Sequence, residues 1–366
     1  MPDQKSIHFN GLNGIRAICA LAVVVSHIFL GLGNIGVNFG YSFGLATSAV
    51  TAFFTLSGFL ITYLLTQEKM FYGTISVRKF YLRRILRIWP LYFGYLLVAI
   101  LTDYLIFHVS DFSSAGFYLL FFPNIPFAYD NARIATFSQI LFLGHFWSLG
   151  VEEQFYAFYP WLVKLFKKSL VVLIGMLSIM LVIKVVAKYG SYKTGNAFWY
   201  AWAESTPFEA MAIGGLAAWT YKEYPSVVVK IVKWKFLQMV VTALILLLLV
   251  DKLKIINPFS HIVTAFVAVM VIYYAHLFKN PWIDLRNKYV DYLGKMSYGI
   301  YVYHPMVLGL TGLFIKGLAV SAAVKILLFF TATIFFTLVV AYCSYKYFEK
   351  YFLNLKSRYA LVKNSD

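Results

Sequence analysis

The sequence predicts an all-α integral membrane protein built as a bundle of about ten transmembrane helices, and three observations support this prediction. Hydrophobic residues make up 61% of the 366 residues and charged residues only 13%, whereas a soluble domain has about 45–50% and about 25%. The mean hydropathy is +0.73. Apolar segments of about 20 residues, the length that crosses a bilayer, recur along the chain. A soluble fold could not bury this much apolar surface, so the predicted solvent is lipid.

Ten apolar segments of nearly the required length follow one another along the sequence. They run at 14–34, 41–66, 88–108, 146–166, 169–187, 205–221, 236–251, 258–278, 290–314 and 321–346. The segment at 205–221 is the weakest, because Pro207 and Glu209 lie near its start. A further apolar stretch at 117–127 contains two prolines and is too short to cross, so we expect it to be re-entrant or extracytoplasmic.

The distribution of positive charge predicts the orientation of the chain. A net charge of +17 would suggest nucleic acid in a soluble protein. In a membrane protein, lysine and arginine instead collect in cytoplasmic loops. With ten spans and the N-terminus inside, 24 of the 32 cationic residues fall on the cytoplasmic side. This asymmetry predicts a multi-pass protein of the cytoplasmic (inner) membrane with both termini in the cytoplasm and no nucleic-acid partner.

The rest of the chain organisation is simple. Residues 1–352 are expected to form one transmembrane domain and residues 353–366 a short cytoplasmic tail, with no separate catalytic domain. The N-terminus does not resemble a cleavable signal, because its apolar run is long enough to span. Cys19 and Cys343 form neither a disulfide framework nor a metal pattern, and no metal site is expected. The glycine pattern at 31–36 follows a membrane helix rather than a strand, so we interpret it as an extracytoplasmic turn.

The first predicted span carries two ionisable side chains, Arg16 and His27. They are 11 residues apart, which places them on one helix face about 16 Å apart along the axis. Arg16 is expected at the cytoplasmic mouth, where an ordinary positive-inside anchor is the alternative. His27 is expected at membrane depth, where an ionisable group is costly and marks a function unless a neighbouring helix simply bonds it.

A basic segment precedes the third predicted span. Arg83, Arg84 and Arg87 lie within five residues, and Arg78 and Lys79 lie just upstream. Arginine forks match phosphate geometry, which favours a phosphate-rich cytosolic ligand. The alternative is a topology signal that contacts lipid phosphates.

The segment GHFWSLGVEEQFY contains an adjacent pair of carboxylates, Glu152 and Glu153. Ser148, Glu152 and Tyr156 are spaced by four residues and share one helix face. His145 lies roughly on that face as well. At least one carboxylate is expected to accept hydrogen bonds from a cationic or hydroxyl partner, and a structural ion pair with an arginine is the alternative.

Three shorter patterns complete the set of candidate residues. Ser57-Gly58 in the second span indicates either a close helix approach or a substrate contact. Tyr301 and His304 place polar tips along the ninth span, for a structural or a substrate-binding role. Near the C-terminus, Glu349 is interpreted as an ion-pair or helix-end group.

Together these motifs resemble the membrane-bound acyltransferase family 3, the multi-spanning O-acyltransferases of bacterial surface glycans and related acceptors. The resemblance is carried by the Arg-x10-His of Arg16 and His27, FFTLSGFLIT, RRILRIWPLY, FWSLGVEEQFY, LGKMSYGIYVYHP and SYKYFEK, in family order. The chain departs from the pattern at Asn13, where the family usually has aspartate, and at Tyr351, where a proline often follows the terminal glutamate.

The resemblance implies acetyl-CoA as a cytosolic donor and a hydroxyl of an extracytoplasmic glycan or lipid-linked sugar as acceptor. It implies catalytic roles for Arg16 and His27, with Glu152 or Glu153 orienting a partner or stabilising charge. It also implies that the basic segment binds the donor, through Arg78, Arg83, Arg84 and Arg87. Substrate contacts are expected from Ser57, Ser148, Tyr156, Tyr301 and His304. The alternatives are a small-molecule acyltransferase at the cytoplasmic face and a multi-spanning transporter or flippase.

Overall fold

The regular structure of the described residues is entirely helical. The computed structural model describes residues 9–37, 44–109, 111–134, 137, 140–249, 259–278 and 285–359. Within these ranges there is no β-strand. The helices are α1 (Leu12–Gly31), α2 (Leu45–Tyr72), α3 (Val77–Leu105), α4 (Ala115–Leu119), α5 (Asn124–Asn131), α6 (Phe146–Leu165), α7 (Ser169–Thr194), α8 (Phe198–Glu204), α9 (Phe208–Glu223), α10 (Pro225–Lys233), α11 (Lys235–Leu249), α12 (Ser260–Leu277), α13 (Lys288–Lys295), α14 (Ser297–Lys316), α15 (Ala322–Ser344) and α16 (Lys350–Ser357).

Seven helices of the described chain are long and apolar enough to cross a membrane. They are α1 with its 3₁₀ extension (Leu32–Ile35), α2, α3, α7, α12, α14 and the continuous run from α15 through a π-helical turn (Tyr345–Glu349) into α16. An eighth crossing arises if α10 and α11, which meet at a bend of 70°, count as one span. The prediction of an all-helical membrane protein is confirmed, while about ten spans remains a prediction.

The remaining predicted spans are helical but fall short in length or hydropathy. Helix α6 has 20 residues, but its central Glu152, Glu153 and Gln154 make it polar. Helix α9 has only 16 residues. The predicted spans at 41–66, 236–251 and 258–278 and the predicted tail at 353–366 each extend partly outside the described residues.

The apolar stretch at 117–127 folds into part of two short helices, α4 and α5. They have five and eight residues, so neither covers the roughly 30 Å of a bilayer core at 1.5 Å per residue. Gln154 of α6 bonds to the segment that connects α4 and α5. Its Nε2 donates to the Phe121 carbonyl at 2.7 Å and to the Asn124 Oδ1 at 2.8 Å. The segment therefore packs against the bundle without crossing, as the prolines predict.

A buried ion pair joins α7 to the start of α9. Lys184 of α7 is fully buried and bonds to the Glu209 carboxylate, with Glu204 at 3.5 Å. Glu209, which weakens the apolar pattern of the sequence, is thus buried and paired with a cation rather than exposed to lipid. A buried charge is tolerated only when it is paired in this way.

Small residues allow the central helices to approach closely. A Cβ added at Gly58 of α2 would collide with the Met211 carbonyl of α9, and one at Gly214 of α9 would collide with the Thr55 carbonyl of α2. Gly294 of α13 packs in the same way against the backbone of Asn13. Gly58 therefore has the close-approach role that its position in the sequence predicts. These contacts hold α2 close to α9 and α13 close to α1.

Gly214→Ala is expected to destabilise the bundle. The added methyl group meets a backbone carbonyl, which cannot rotate away, so overpacking should cost at least about 1–3 kcal/mol. The measurement is thermal unfolding of the purified protein in detergent. Gly175→Ala on α7 is the matched control, because nothing lies within 4 Å of its added Cβ. Equal unfolding temperatures for the two variants would contradict the close α2–α9 contact.

Candidate active site

The described helices surround a large cavity with a strongly cationic wall, hereafter the cationic cavity. Its volume is about 590 Å³, and α1, α2, α3, α6, α13, α14, the π-helical turn and α16 contribute to its wall. The cations that line it are Arg16, Arg83, Arg84, Arg87, Lys295, Lys350 and Lys356. The acidic lining residues are Glu68, Glu152 and Glu349. Apolar side chains, including Phe53, Phe54, Leu60, Ile61 and Leu64, form the rest of the α2 face.

The basic segment lies in the first turns of α3 and divides between two surfaces. Arg83, Arg84 and Arg87 line the cationic cavity. Arg78 is exposed and lines a separate shallow groove with Trp161 of α6. Helical periodicity explains the division, because Arg83, Arg84 and Arg87 lie within about 100° of one another around the axis. The predicted donor-binding set is therefore brought together except for Arg78.

Arg83 and Arg84 differ in how far the protein already satisfies them. Arg83 Nη2 lies 3.3 Å from Glu68 Oε2, and its Nη1 donates to the Tyr359 carbonyl at 3.0 Å. Arg84 lies over the ring of Tyr156, with its guanidinium carbon 5.1 Å from the ring centroid. Its Nε is buried and has no hydrogen-bond partner among the described residues. Arg84 thus has more donor capacity left for a ligand than Arg83, which already uses two of its five N–H donors.

The two adjacent carboxylates point to different surroundings. Glu152 lines the cationic cavity and accepts hydrogen bonds from the hydroxyls of Ser57 and Tyr156. Glu153 accepts from Trp89 Nε1 at 2.9 Å and is not part of the cavity wall. The hydrogen-bond partners of Glu152 are hydroxyls, one of the two kinds of partner that the sequence predicts. Adjacent helical residues diverge by about 100°, which separates the pair.

A cluster of imidazoles lies next to the cavity wall, on the other side of Tyr301. Tyr301 lines the cavity, and its hydroxyl lies 2.6 Å from the Ser148 hydroxyl. The backbone carbonyl of the same residue lies 2.7 Å from His304 Nδ1. His304 Nε2 lies 2.7 Å from His27 Nδ1. Tyr301 therefore separates the cavity from the imidazole pair. Of the predicted substrate contacts, Ser148 and Tyr301 line the cavity, whereas His304 lies behind its wall.

The three imidazoles of the cluster differ in exposure. His304 is completely buried and His145 is 6% exposed, whereas His27 is only half-buried. The ring of His145 lies 5.3 Å from that of His304, and neither of its nitrogens has a partner among the described residues. His27 is therefore the imidazole of this cluster with the most access to a substrate.

Arg16 is held at the cavity wall by a short chain of hydrogen bonds. Its Nη1 donates to Asn13 Oδ1 at 2.7 Å, and Asn13 Nδ2 donates to Asp291 Oδ1 at 2.9 Å. Asp291 also pairs with Lys295, whose Nζ lies 2.7 Å from its Oδ2. Asn13, which departs from the family pattern, therefore still contacts Arg16 and also donates a hydrogen bond to Asp291 of α13.

Several residues of the cavity escaped the sequence analysis. Lys350 and Lys356 belong to α16, so the expected boundary at 352 falls inside a helix that lines the cavity. Glu349, for which the sequence predicts an ion-pair or helix-end role, also lines the cavity; it is buried and accepts a hydrogen bond from the Ser344 hydroxyl at 2.9 Å. A helical reading of the C-terminal segment would have placed these side chains beside the bundle.

Within the described residues no group of three His, Cys, Asp or Glu side chains could hold a metal ion.

This geometry defines a class of protein, a helical membrane protein in which a cationic cavity lies beside a cluster of imidazoles. The sequence profile of a family described as an acyltransferase domain matches residues 9–346. The chain belongs to this acyltransferase family.

Relatives with this similarity come from Staphylococcus aureus. The protein named "Putative O-acetyltransferase SAR0937" of strain MRSA252 is 26% identical over 97% of this chain and 60% of its own length. "Putative O-acetyltransferase SACOL0978" of strain COL is 26% identical over 94% of this chain and 57% of its own. "O-acetyltransferase OatA" of strain COL is 30% identical over 41% of this chain and 24% of its own. The chain thus spans about three-fifths of the first two relatives' length. No solved structure matches it.

Proposed function

We propose that this enzyme transfers an acetyl group from cytosolic acetyl-CoA to a hydroxyl of an extracytoplasmic glycan or lipid-linked sugar. The single observation that carries the proposal is the cationic cavity, whose arginines and lysines suit a phosphate-bearing ligand and whose lining residue Tyr301 contacts His304 of the imidazole pair. The O-acetyltransferase names of the relatives support acetyl as the group and oxygen as its acceptor. Membership in an acyltransferase family leaves the transporter or flippase alternative without support.

The cavity matches the chemistry of the proposed donor. Seven cationic side chains line it, and charge-assisted bonds from such groups bind the phosphates of coenzyme A. Arg84, with its unpaired buried Nε, offers donor capacity at this wall. The apolar face of α2 suits the pantetheine arm. A volume of about 590 Å³ falls within the usual range of about 300–1,000 Å³ for small-molecule pockets.

The proposed reaction uses His27 in one of two ways. As a general base, Nε2 of His27 takes the proton of the acceptor hydroxyl while the oxygen attacks the thioester carbon. The carbon–sulfur bond then breaks, and the CoA thiolate takes that proton. As a covalent carrier, the same nitrogen attacks the thioester carbon, the carbon–sulfur bond breaks and CoA leaves as the thiolate. The acceptor oxygen then attacks the acyl carbon, the carbon–nitrogen bond breaks, and the proton of the acceptor hydroxyl passes to the CoA thiolate. Arg16 and Glu152, on the cavity wall, would orient the donor and stabilise developing charge.

The proposed orientation rests on charge. With ten spans and a cytoplasmic N-terminus, 24 of the 32 lysines and arginines fall on the cytoplasmic side, as the positive-inside rule favours. The basic start of α3 and the C-terminal helix α16, which both line the cavity, would then face the cytosol and its supply of acetyl-CoA. Both termini would be cytoplasmic, and the enzyme would lie in the cell membrane.

The proposal predicts sided turnover in membrane vesicles. Acetyl-CoA does not cross a bilayer, so labelled acetyl-CoA added outside should be consumed by inverted vesicles, which expose the cytoplasmic face, and not by right-side-out vesicles. The labelled ester should be enclosed and resist an added esterase. Vesicles without the protein are the control. Turnover confined to right-side-out vesicles would overturn the orientation, and an esterase-accessible product would favour the small-molecule acceptor at the cytoplasmic face.

A further inference from the structure

The dipeptide His304-Pro305 alters the hydrogen bonding of α14 at the imidazole cluster. In an α-helix the N–H of a residue donates to the carbonyl four residues earlier. Pro305 has no N–H, so the Tyr301 carbonyl has no such helical donor. The side chain of His304 takes this position, because its Nδ1 lies 2.7 Å from the Tyr301 oxygen. The proline therefore makes room for a side-chain hydrogen bond that fixes the imidazole of His304.

This bond determines where the protons of both imidazoles lie. A carbonyl oxygen can only accept, so His304 Nδ1 must carry the proton. A neutral imidazole has one N–H, which leaves His304 Nε2 as an acceptor. His304 is completely buried and no carboxylate of the described chain bonds to it, so the neutral form is favoured. The contact of 2.7 Å with His27 then requires His27 Nδ1 to donate. The lone pair of His27 lies on Nε2.

We propose that His304, set by Pro305 and the Tyr301 carbonyl, is a positioning residue that holds His27 in the tautomer with Nδ1 protonated and Nε2 unprotonated. The inference deepens the proposed function and rests on it, since Nε2 is the nitrogen needed whether His27 is a base or an acyl carrier. His304 is fully buried and acts through His27, which is half-buried. When Nε2 of His27 gains a proton or an acyl group, Nδ1–H still donates to His304, which stabilises the resulting cation.

The first test reads the tautomer directly. Nitrogen NMR of ¹⁵N-histidine-labelled protein in bilayers separates protonated from unprotonated ring nitrogens, and the signals lost in His27→Gln identify His27. We expect Nε2 of His27 to be unprotonated in the wild type. His304→Leu should give a mixture of tautomers. Pro305→Ala should shift the population in the same direction, because it restores an N–H that competes for the Tyr301 carbonyl. A wild-type His27 protonated at Nε2 would overturn the inference.

The second test is kinetic. His304→Leu removes the acceptor and should lower kcat by about 10²–10⁴-fold, toward the roughly 10⁴-fold cost of a wrong histidine tautomer in serine proteases. The KM for acetyl-CoA should stay unchanged, because His304 does not line the cavity. His304→Gln can still accept from His27 and should recover at least about tenfold of the loss. Thr311→Val, on the same helix and bonded to Thr333, is the matched control. Equal activity of the Leu and Gln variants would show that His304 has only a packing role.

The two tests separate this inference from the function on which it rests. If His27→Gln retains turnover, the catalytic role of His27 fails, while the nitrogen signals still report how His304 sets the tautomer. If His27→Gln is inactive but His304→Leu leaves both the tautomer and kcat unchanged, the proposed function stands and the positioning role of His304 is wrong.

Discussion

Replacing His27 by alanine or glutamine is expected to abolish acyl transfer while donor binding stays close to wild type. His27 is the half-buried member of the imidazole cluster and is not part of the cavity wall that holds the cations. Loss of a general base costs about 10²–10⁴-fold in rate, and loss of a covalent carrier removes the reaction altogether. Glutamine keeps size and polarity, so a purely structural histidine would tolerate it.

The measurement is turnover of acetyl-CoA with an acceptor, with CoA binding measured in parallel. His276→Gln is a matched control, because His276 also lies in the bundle but bonds to Tyr221 on another helix pair. Label retained on the wild-type protein in the absence of acceptor, and lost in His27→Gln, would select the covalent carrier over the base. Near-wild-type turnover by His27→Gln would remove His27 from the mechanism and move attention to His145 and Glu152.

The sequence was sufficient to predict what depends on composition and on spacing within one helix. Hydropathy predicts the helical membrane bundle, and a spacing of four residues places Ser148, Glu152 and Tyr156 on one face, where all three line the cavity. The close approach at Gly58 follows from the absence of a side chain. These features are local, so they can be predicted without knowledge of how the helices pack.

Features that depend on packing could not be predicted in this way. Whether Glu152 or Glu153 faces the cavity is decided by the rotation of α6 in the bundle. The bond between His27 and His304 joins positions 277 residues apart. Helix α16 is polar and short, so its sequence resembles a tail, and only its docking beside α3 places Lys356 on the cavity. Arg78 is an arginine of the same basic segment as the donor-binding set, but it lies on another surface.

Arg84→Ala is expected to weaken CoA binding by about 10- to 150-fold, whereas Arg78→Ala should leave it nearly unchanged. A hydrogen bond to a charged group contributes about 1.5–3 kcal/mol, which corresponds to that range. Arg84 lines the cavity with an unpaired buried Nε, and Arg78 is exposed in a separate groove. Arg83→Ala should have a smaller effect than Arg84→Ala, because Glu68 already pairs with Arg83.

The comparison of these variants separates two roles that the same basic segment could have. Arg78 and Arg84 carry the same charge within two turns of one helix, so a topology signal or a long-range field would respond similarly to the loss of either. A phosphate site responds to position, and Arg84→Lys should restore binding only in part, because the ammonium lacks the guanidinium fork. The measurement is the Kd for CoA in detergent at fixed ionic strength. Equal weakening by Arg78→Ala and Arg84→Ala would show that the segment acts through net charge, and the donor would then have to be placed against the cations of α1 and α16 instead.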